Sequence, residues 1–127
     1  MNETILIMLL AFQIKHLVAD YYLQYPYMYE NKGKAKGWFK PLLDHSLVHT
    51  LGTALIVVAY SIFIVKLSLT VMIGLILFDL VTHFITDRWK ATRKTDPSQA
   101  FFWESLGIDQ MVHHTVGILI VFTIAMY

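Results

Sequence analysis

Four long apolar stretches dominate this chain and limit the folds that it can adopt. They lie at about residues 4–25, 41–65, 69–91 and 108–126 of 127. A helix needs about 20 apolar residues to cross the hydrocarbon core of a bilayer, and it satisfies its own backbone hydrogen bonds there. The apolar share of 57% exceeds the roughly 45–50% of soluble domains. The sequence therefore predicts a single-domain, all-α, four-helix bundle embedded in a membrane.

Two polar connections separate these stretches, and the second contains a further helix signal. Asp96, Pro97 and Gln99 are typical of a helix start, with an acid at the cap and proline at the first helical position. The aromatic residues that follow favour the membrane interface. We therefore expect a short interfacial helix at about 97–106, ended by Gly107 before the last span.

Basic residues gather in the two long connections. The first carries Lys32, Lys34, Lys36 and Lys40, and the second carries or adjoins Arg88, Lys90, Arg93 and Lys94. Loops rich in lysine and arginine stay on the cytoplasmic side of a membrane, so we expect both long connections in the cytoplasm and both termini outside. We interpret the loop lysines as topology signals and lipid-headgroup contacts.

Acidic residues and histidines recur at intervals of four inside the apolar stretches. Asp79, His83 and Asp87 share one helix face, because a step of four residues drifts by only about 40° around an α-helix. All such residues lie in the halves of their helices nearest the long connections, so we expect one polar bowl that is open at that end and closed by apolar residues at the other. The same interval separates three further pairs: His16 with Asp20, His45 with His49, and Asp109 with His113.

Ionisable groups at this depth require partners, and a metal ion is the partner that we predict. An aspartate at the centre of a spanning helix costs about 2.5–3.5 kcal/mol on insertion scales. The chain has no cysteine, which excludes thiolate sites and favours nitrogen and oxygen ligands. We expect one or two divalent ions, zinc first, with manganese, iron or nickel as alternatives. The predicted ligands are His16, Asp20, His45, His49, Asp79, His83, Asp87, Asp109 and His113.

A metal bowl that faces the cytoplasm favours hydrolysis, because a divalent ion activates water and acids transfer protons. Nearby cations point to an anionic substrate, such as a phosphoester of a lipid or a nucleotide. His114 lies about 100° around the helix from His113, so we expect it to face elsewhere. The predicted catalytic residues are Asp20, Asp87 and Asp109, and the predicted substrate contacts are Lys15, Arg88 and Lys90.

Two other interpretations stay open. The polar groups also suit an ion-pair network that only specifies helix packing, in a non-catalytic interaction protein. Intramembrane acids and histidines are typical of metal-cation or proton transporters as well, although the apolar outer half argues against a conduit. Besides the lipid bilayer, a second copy of the chain is a possible partner, and no pattern indicates a nucleic acid.

The spaced residues also form a set of motifs that extends over nearly the whole chain. The set is His16-x3-Asp20-x3-Gln24, His45-x3-His49, Asp79-x3-His83-x3-Asp87-x2-Lys90, Phe102, and Asp109-Gln110-x2-His113. It resembles the domain of unknown function 3307 family of bacterial and phage membrane proteins. The resemblance implies a small four-helix protein of the bacterial inner membrane and assigns no activity. A looser similarity extends to inner-membrane proteins described as metal-dependent hydrolases, which also carry histidine and aspartate on their spans.

Overall fold

The computed structural model describes residues 3–93 and 95–127, and every regular element in these ranges is a helix. Four of the helices are long and apolar enough to cross a membrane, which agrees with the predicted all-α bundle of a membrane protein. The elements are α1 (Glu3–Tyr21), α2 (Pro26–Asn31), α3 (Phe39–Phe63), α4 (Leu69–Ala91) and α5 (Ala100–Met126).

The four long helices form a closed ring in the order α1, α3, α4, α5. Each helix packs on its two neighbours in this ring, and the pairs α1 with α4 and α3 with α5 lie across the diagonals. The short turn 64–68 makes α3 and α4 antiparallel, and Ser68 caps α4 by accepting a hydrogen bond from the Val71 amide at 3.3 Å. We call the end of the bundle that carries connections 22–38 and 92–99 the connection end.

The interior divides into an apolar half and a polar half. Buried apolar side chains fill the half of the ring away from the connection end, where they pack against one another. Phe12 on α1 lies close to α5, because a Cβ added at Gly117 would lie 3.3 Å from the Phe12 ring. The apolar core consists of Met8, Phe12, Val57, Leu67, Leu75, Val116, Ile120, Val121 and Ile124.

The structure differs from the sequence-based expectation in the second connection. The interfacial helix expected at 97–106 is not a separate element, because α5 runs without interruption from Ala100 through Gly107 to Met126. A glycine inside a helix costs only about 1 kcal/mol relative to alanine, which the packing of a long helix easily offsets. The Trp103 indole N–H donates to the Pro97 carbonyl at 2.8 Å and holds the preceding turn against the start of α5.

The first connection contains a short helix that the sequence pattern did not predict. α1 ends at Tyr21 rather than near Tyr25, and Pro26 begins α2. Proline disfavours helical geometry in the residue before it and suits the first helical position itself. α2 is fastened to α3 by the Tyr27 hydroxyl, which donates to Asp44 Oδ2 at 2.5 Å. This hydrogen bond raises the pKa of Tyr27.

Candidate metal centre

Histidines from all four long helices meet in the polar half of the bundle. The rings of His49 and His83 stack with centroids 3.8 Å apart, and those of His83 and His113 stack at 4.0 Å. The His16 ring lies 5.2 Å from the His49 ring, and the His45 ring lies 4.8 Å from it. The five histidines and the carboxylates of Asp20 and Asp87 are called the histidine cluster below.

Three imidazoles, from α1 and α3, lie close to the Asp20 carboxylate. Its Oδ2 lies 3.1 Å from His16 Nε2, and its Oδ1 lies 3.0 Å from His49 Nε2. His45 Nε2 is slightly farther, at 3.4 Å from Oδ1. The four-residue spacing within α1 places His16 beside Asp20 on the same helix, whereas the two histidines of α3 reach Asp20 from a neighbouring helix.

Asp87 is the corresponding acid on α4. Its Oδ1 lies 3.0 Å from His113 Nε2 and 3.5 Å from His83 Nε2. Its Oδ2 lies 3.2 Å from His45 Nε2 and 2.6 Å from the ammonium of Lys32. His45 therefore lies between the two carboxylates, and the Nε2 atoms of all five imidazoles point towards Asp20 or Asp87.

Three groups of side chains have ligand atoms close enough for a metal ion. Within each group the candidate nitrogen and oxygen atoms lie within 4.8 Å of one another. Two of the groups share no residue with each other, and seven of the nine predicted ligands belong to at least one group. Their role as ligands stays a prediction. The groups are the α1–α3 triad (His16, Asp20, His49), the central triad (His45, His49, His83) and the α4–α5 triad (His83, Asp87, His113).

Several nitrogens of the cluster lack a hydrogen-bond partner among the residues that the structure describes. They are Nδ1 and Nε2 of His45, Nδ1 of His49 and Nε2 of His83, all in residues no more than 2% exposed. A buried polar atom without a partner costs about 1–3 kcal/mol. Neutral imidazole nitrogens with nearby carboxylates are the ligands that zinc and related divalent ions accept, so the donor set fits such an ion.

The other two predicted ligands lie at the edges of the cluster and pair with lysines. Asp79 Oδ1 is 3.4 Å from Lys15 Nζ, one turn deeper than the cluster. The Lys15 stem passes over Gly52, where a Cβ would lie 2.6 Å from Lys15 Cγ. Asp109 is nearer the connection end, with Oδ2 2.8 Å from Lys90 Nζ and Oδ1 3.3 Å from His113 Nε2.

The three predicted substrate contacts occupy different places. Lys15 is engaged with Asp79 on the apolar side of the cluster, and Lys90 reaches Asp109 from the connection end. The Arg88 guanidinium lies 3.9 Å from the centre of the Trp38 ring. It also donates to the Lys32 carbonyl at 2.7 Å. Arg88 therefore binds the first connection rather than the cluster.

Two further residues contact the cluster, and the sequence pattern did not place them there. Lys32 was interpreted as a topology signal, yet its ammonium contacts Asp87 because Arg88 holds the first connection over α4. His114 was expected to face elsewhere, but its ring lies 5.1 Å from that of His16. The close approach of α1 and α5 lets both of the adjacent histidines reach α1. The adjacent histidines 113 and 114 were a visible signal in the sequence for His114, whereas no local pattern marked Lys32.

A family comparison covers the same residues. The family model described as "Protein of unknown function (DUF3307)" matches residues 5–127. The chain belongs to this family. The match extends over the four spans of this DUF3307 protein from residue 5 onwards, and it includes every residue of the histidine cluster. No curated protein and no solved structure matches the chain, so nothing in the comparisons supports the looser similarity to hydrolases.

Proposed function

We propose that the histidine cluster of this DUF3307 protein binds divalent metal and that the protein is a membrane-embedded, metal-dependent hydrolase of phosphoesters. The observation that carries the proposal is the set of three overlapping nitrogen and oxygen triads, each within 4.8 Å. The orphaned histidine nitrogens support it further, because metal binding satisfies buried imidazoles that have no hydrogen-bond partner.

We propose two ions rather than one. The α1–α3 triad and the α4–α5 triad are disjoint, and each offers two imidazoles and one carboxylate. His45 lies between them, 3.4 Å from Asp20 and 3.2 Å from Asp87, where it can support either. Paired ions in hydrolases lie about 3.5–4 Å apart, which suits two triads whose histidine rings stack. Zinc is the first choice, with manganese, iron or nickel as alternatives.

The carboxylates divide into two roles in this proposal. A divalent ion supplies Lewis acidity and makes water a nucleophile near neutral pH. Asp20 and Asp87 each contact several imidazoles and act as ligands. Asp109 belongs to no triad, but it lies 3.3 Å from His113 at the edge of the α4–α5 triad. We therefore assign the general base to Asp109, with Lys90 holding its other oxygen.

The proposed orientation places the site on the cytoplasmic side of the bacterial inner membrane. Lysines and arginines of the chain concentrate in the two long connections, which favours a cytoplasmic location for them. The cluster lies at the same end of the bundle. The apolar core at the other end argues against a transport function, because a conduit requires polar groups or water through the full thickness.

Elemental analysis of the full chain purified in detergent tests the metal, and phosphate release tests the reaction. We expect about two divalent ions per chain and slow, metal-dependent hydrolysis of bis(p-nitrophenyl) phosphate. His83→Ala should lose most of the metal, because His83 belongs to two of the three triads. His114→Ala is the matched control, since His114 contacts His16 but belongs to no triad.

Two results would count against this proposal. Wild-type protein that folds but retains no divalent metal would remove the whole proposal. Metal retention without any phosphoesterase activity would contradict the proposed hydrolysis and support only the proposed metal binding.

A further inference from the structure

A basic cavity of about 430 Å³ lies at the connection end, beside the histidine cluster. Its walls come from the first connection, the last turn of α4, the second connection and the start of α5. Among the described residues that line it, four are cations and one is an acid, Glu30. The cavity therefore attracts an anion. The four cations are Lys32, Lys34, Lys90 and Arg93.

Two of these cations connect the cavity with the cluster or with Asp109 at its edge. Lys32 Nζ lies 2.6 Å from Asp87, and Lys90 Nζ lies 2.8 Å from Asp109. With its amide oriented to accept, Gln24 takes a second hydrogen bond from Lys32 at 2.8 Å. An ammonium carries three donors, so each lysine retains at least one for an anion in the cavity. A group bound there lies directly next to the carboxylates of the proposed metal centre.

In the described part of the chain the other two cations make no contact with the cluster, and they line the outer wall. The Arg93 guanidinium is held in place by the Trp89 and Phe101 rings, at 4.3 and 5.1 Å from their centres. A planar guanidinium presents paired donors that match phosphate oxygens. Phe102 adds an apolar surface to the lining, which suits the organic part of an ester.

We infer that this cavity binds the phosphate group of a phosphoester and presents it to the histidine cluster. The inference adds a substrate-binding site to the proposed function, and it rests on that function only for the hydrolysis that follows binding. The recognised chemistry is the phosphate group itself, which two sources share: a soluble nucleotide and the headgroup of a phospholipid. Lys34 and Arg93 contribute binding, and Lys32 and Lys90 align the bound group with the carboxylates.

Isothermal titration of the detergent-purified full chain tests the cavity without any need for activity. The probes are inorganic phosphate and adenosine monophosphate, with nanodiscs containing phosphatidic acid as the lipid arm. In a Lys34→Gln, Arg93→Gln double variant we expect phosphate-group binding to weaken about tenfold or more, because two charge-assisted hydrogen bonds are lost. The matched control is Lys36→Gln with Lys66→Gln, which removes the same charge from residues outside the cavity lining.

The outcomes separate this inference from the proposed function. The expected result is weaker phosphate binding in the cavity variant, with its metal content and helical circular dichroism unchanged. Binding by the nucleotide assigns a soluble source and binding only by the nanodiscs assigns a lipid source, and either supports the inference. Unchanged affinity in the cavity variant, no binding of any probe by wild type, or binding that disappears when metal is chelated would overturn it. A protein without metal that still binds phosphate would contradict only the proposed function.

Discussion

The ring nitrogens of the buried histidines are the basis of the proposed metal site. Five Nε2 atoms converge on two carboxylates, and the rings are too buried for bulk water to satisfy them. Four histidine nitrogens have no partner of hydrogen-bond geometry among the described residues, although two of them lie within 3.5 Å of a carboxylate oxygen. A network built only for packing would leave fewer buried polar atoms unpaired. At this scale the residues favour a metal-binding role over a purely structural one.

Asp109 gives the sharpest prediction for a single residue. It is 1% exposed, and its Oδ2 accepts from Lys90 at 2.8 Å and from Gln110 at 3.1 Å. We expect Asp109→Asn to retain its metal and to lose roughly a hundredfold or more of its phosphoesterase activity, the magnitude typical of a general base. Parallel elemental analysis and phosphate-release assays measure the two quantities.

The control for this variant is Asp96→Asn, which makes the same change in the exposed second connection. Among the residues that the structure describes, the Asp96 side chain accepts hydrogen bonds only from nearby Ser98, so activity should stay at the wild-type level. Loss of metal in Asp109→Asn would show that Asp109 is a ligand and not the base.

At the scale of elements, the first connection completes the site by lying against the end of α4. Arg88 donates to the carbonyls of Lys32 and Lys34, at 2.7 and 3.3 Å, and its guanidinium lies on Trp38. Gly33 permits this approach, because a Cβ there would collide with the Ala91 carbonyl. The connection therefore delivers Lys32 to Asp87 only while position 33 has no side chain.

Gly33→Ala should therefore lower both stability and phosphate binding. The colliding atoms belong to the backbone, which cannot rotate away, so the connection must shift at a cost of roughly 1–3 kcal/mol. Thermal unfolding followed by circular dichroism in detergent should show a lower melting temperature, and titration should show weaker phosphate binding.

Gly107→Ala is the comparison for this variant. Apart from its own stretch of helix, no described residue lies within 4 Å of a Cβ at position 107, and alanine is favoured over glycine inside a helix by about 1 kcal/mol. We expect its melting temperature to equal or exceed that of wild type. A Gly33→Ala protein as stable as wild type would contradict the proposed close packing of the connection.

At the scale of the whole molecule, the two halves of the bundle have different sources of stability. The apolar half packs residues such as Phe12, Val57 and Ile120. The polar half has carboxylates and imidazoles in place of an apolar core, and two of its acids pair with Lys15 and Lys90. Bound metal would therefore stabilise the half that packing alone supports least.

Chelation should accordingly lower the melting temperature of the wild-type protein. A ligand that binds only the folded state stabilises it by about 2.7 kcal/mol at a concentration 100 times its dissociation constant. Treatment with a chelator, followed by return of zinc, should lower and then restore the temperature. The response should be absent in His83→Ala and present in His114→Ala. A wild-type melting temperature that is indifferent to the chelator would contradict a structural contribution from metal.

The amino-acid sequence by itself determined the helical class, the four spans and the faces that carry acids and histidines. These features depend on segment length, hydropathy and the helical repeat, which are all local. Even so, the helix start at 96–99 was predicted to begin a separate element, whereas α5 continues through Gly107.

Only the tertiary structure decided which polar groups meet. In the structure His45 lies between Asp20 and Asp87. Arg88 binds the first connection, and Lys32 contacts the cluster. These contacts depend on the rotation of each helix about its axis and on the path of the connections. Both are set by packing between residues distant in the chain, which no local pattern records.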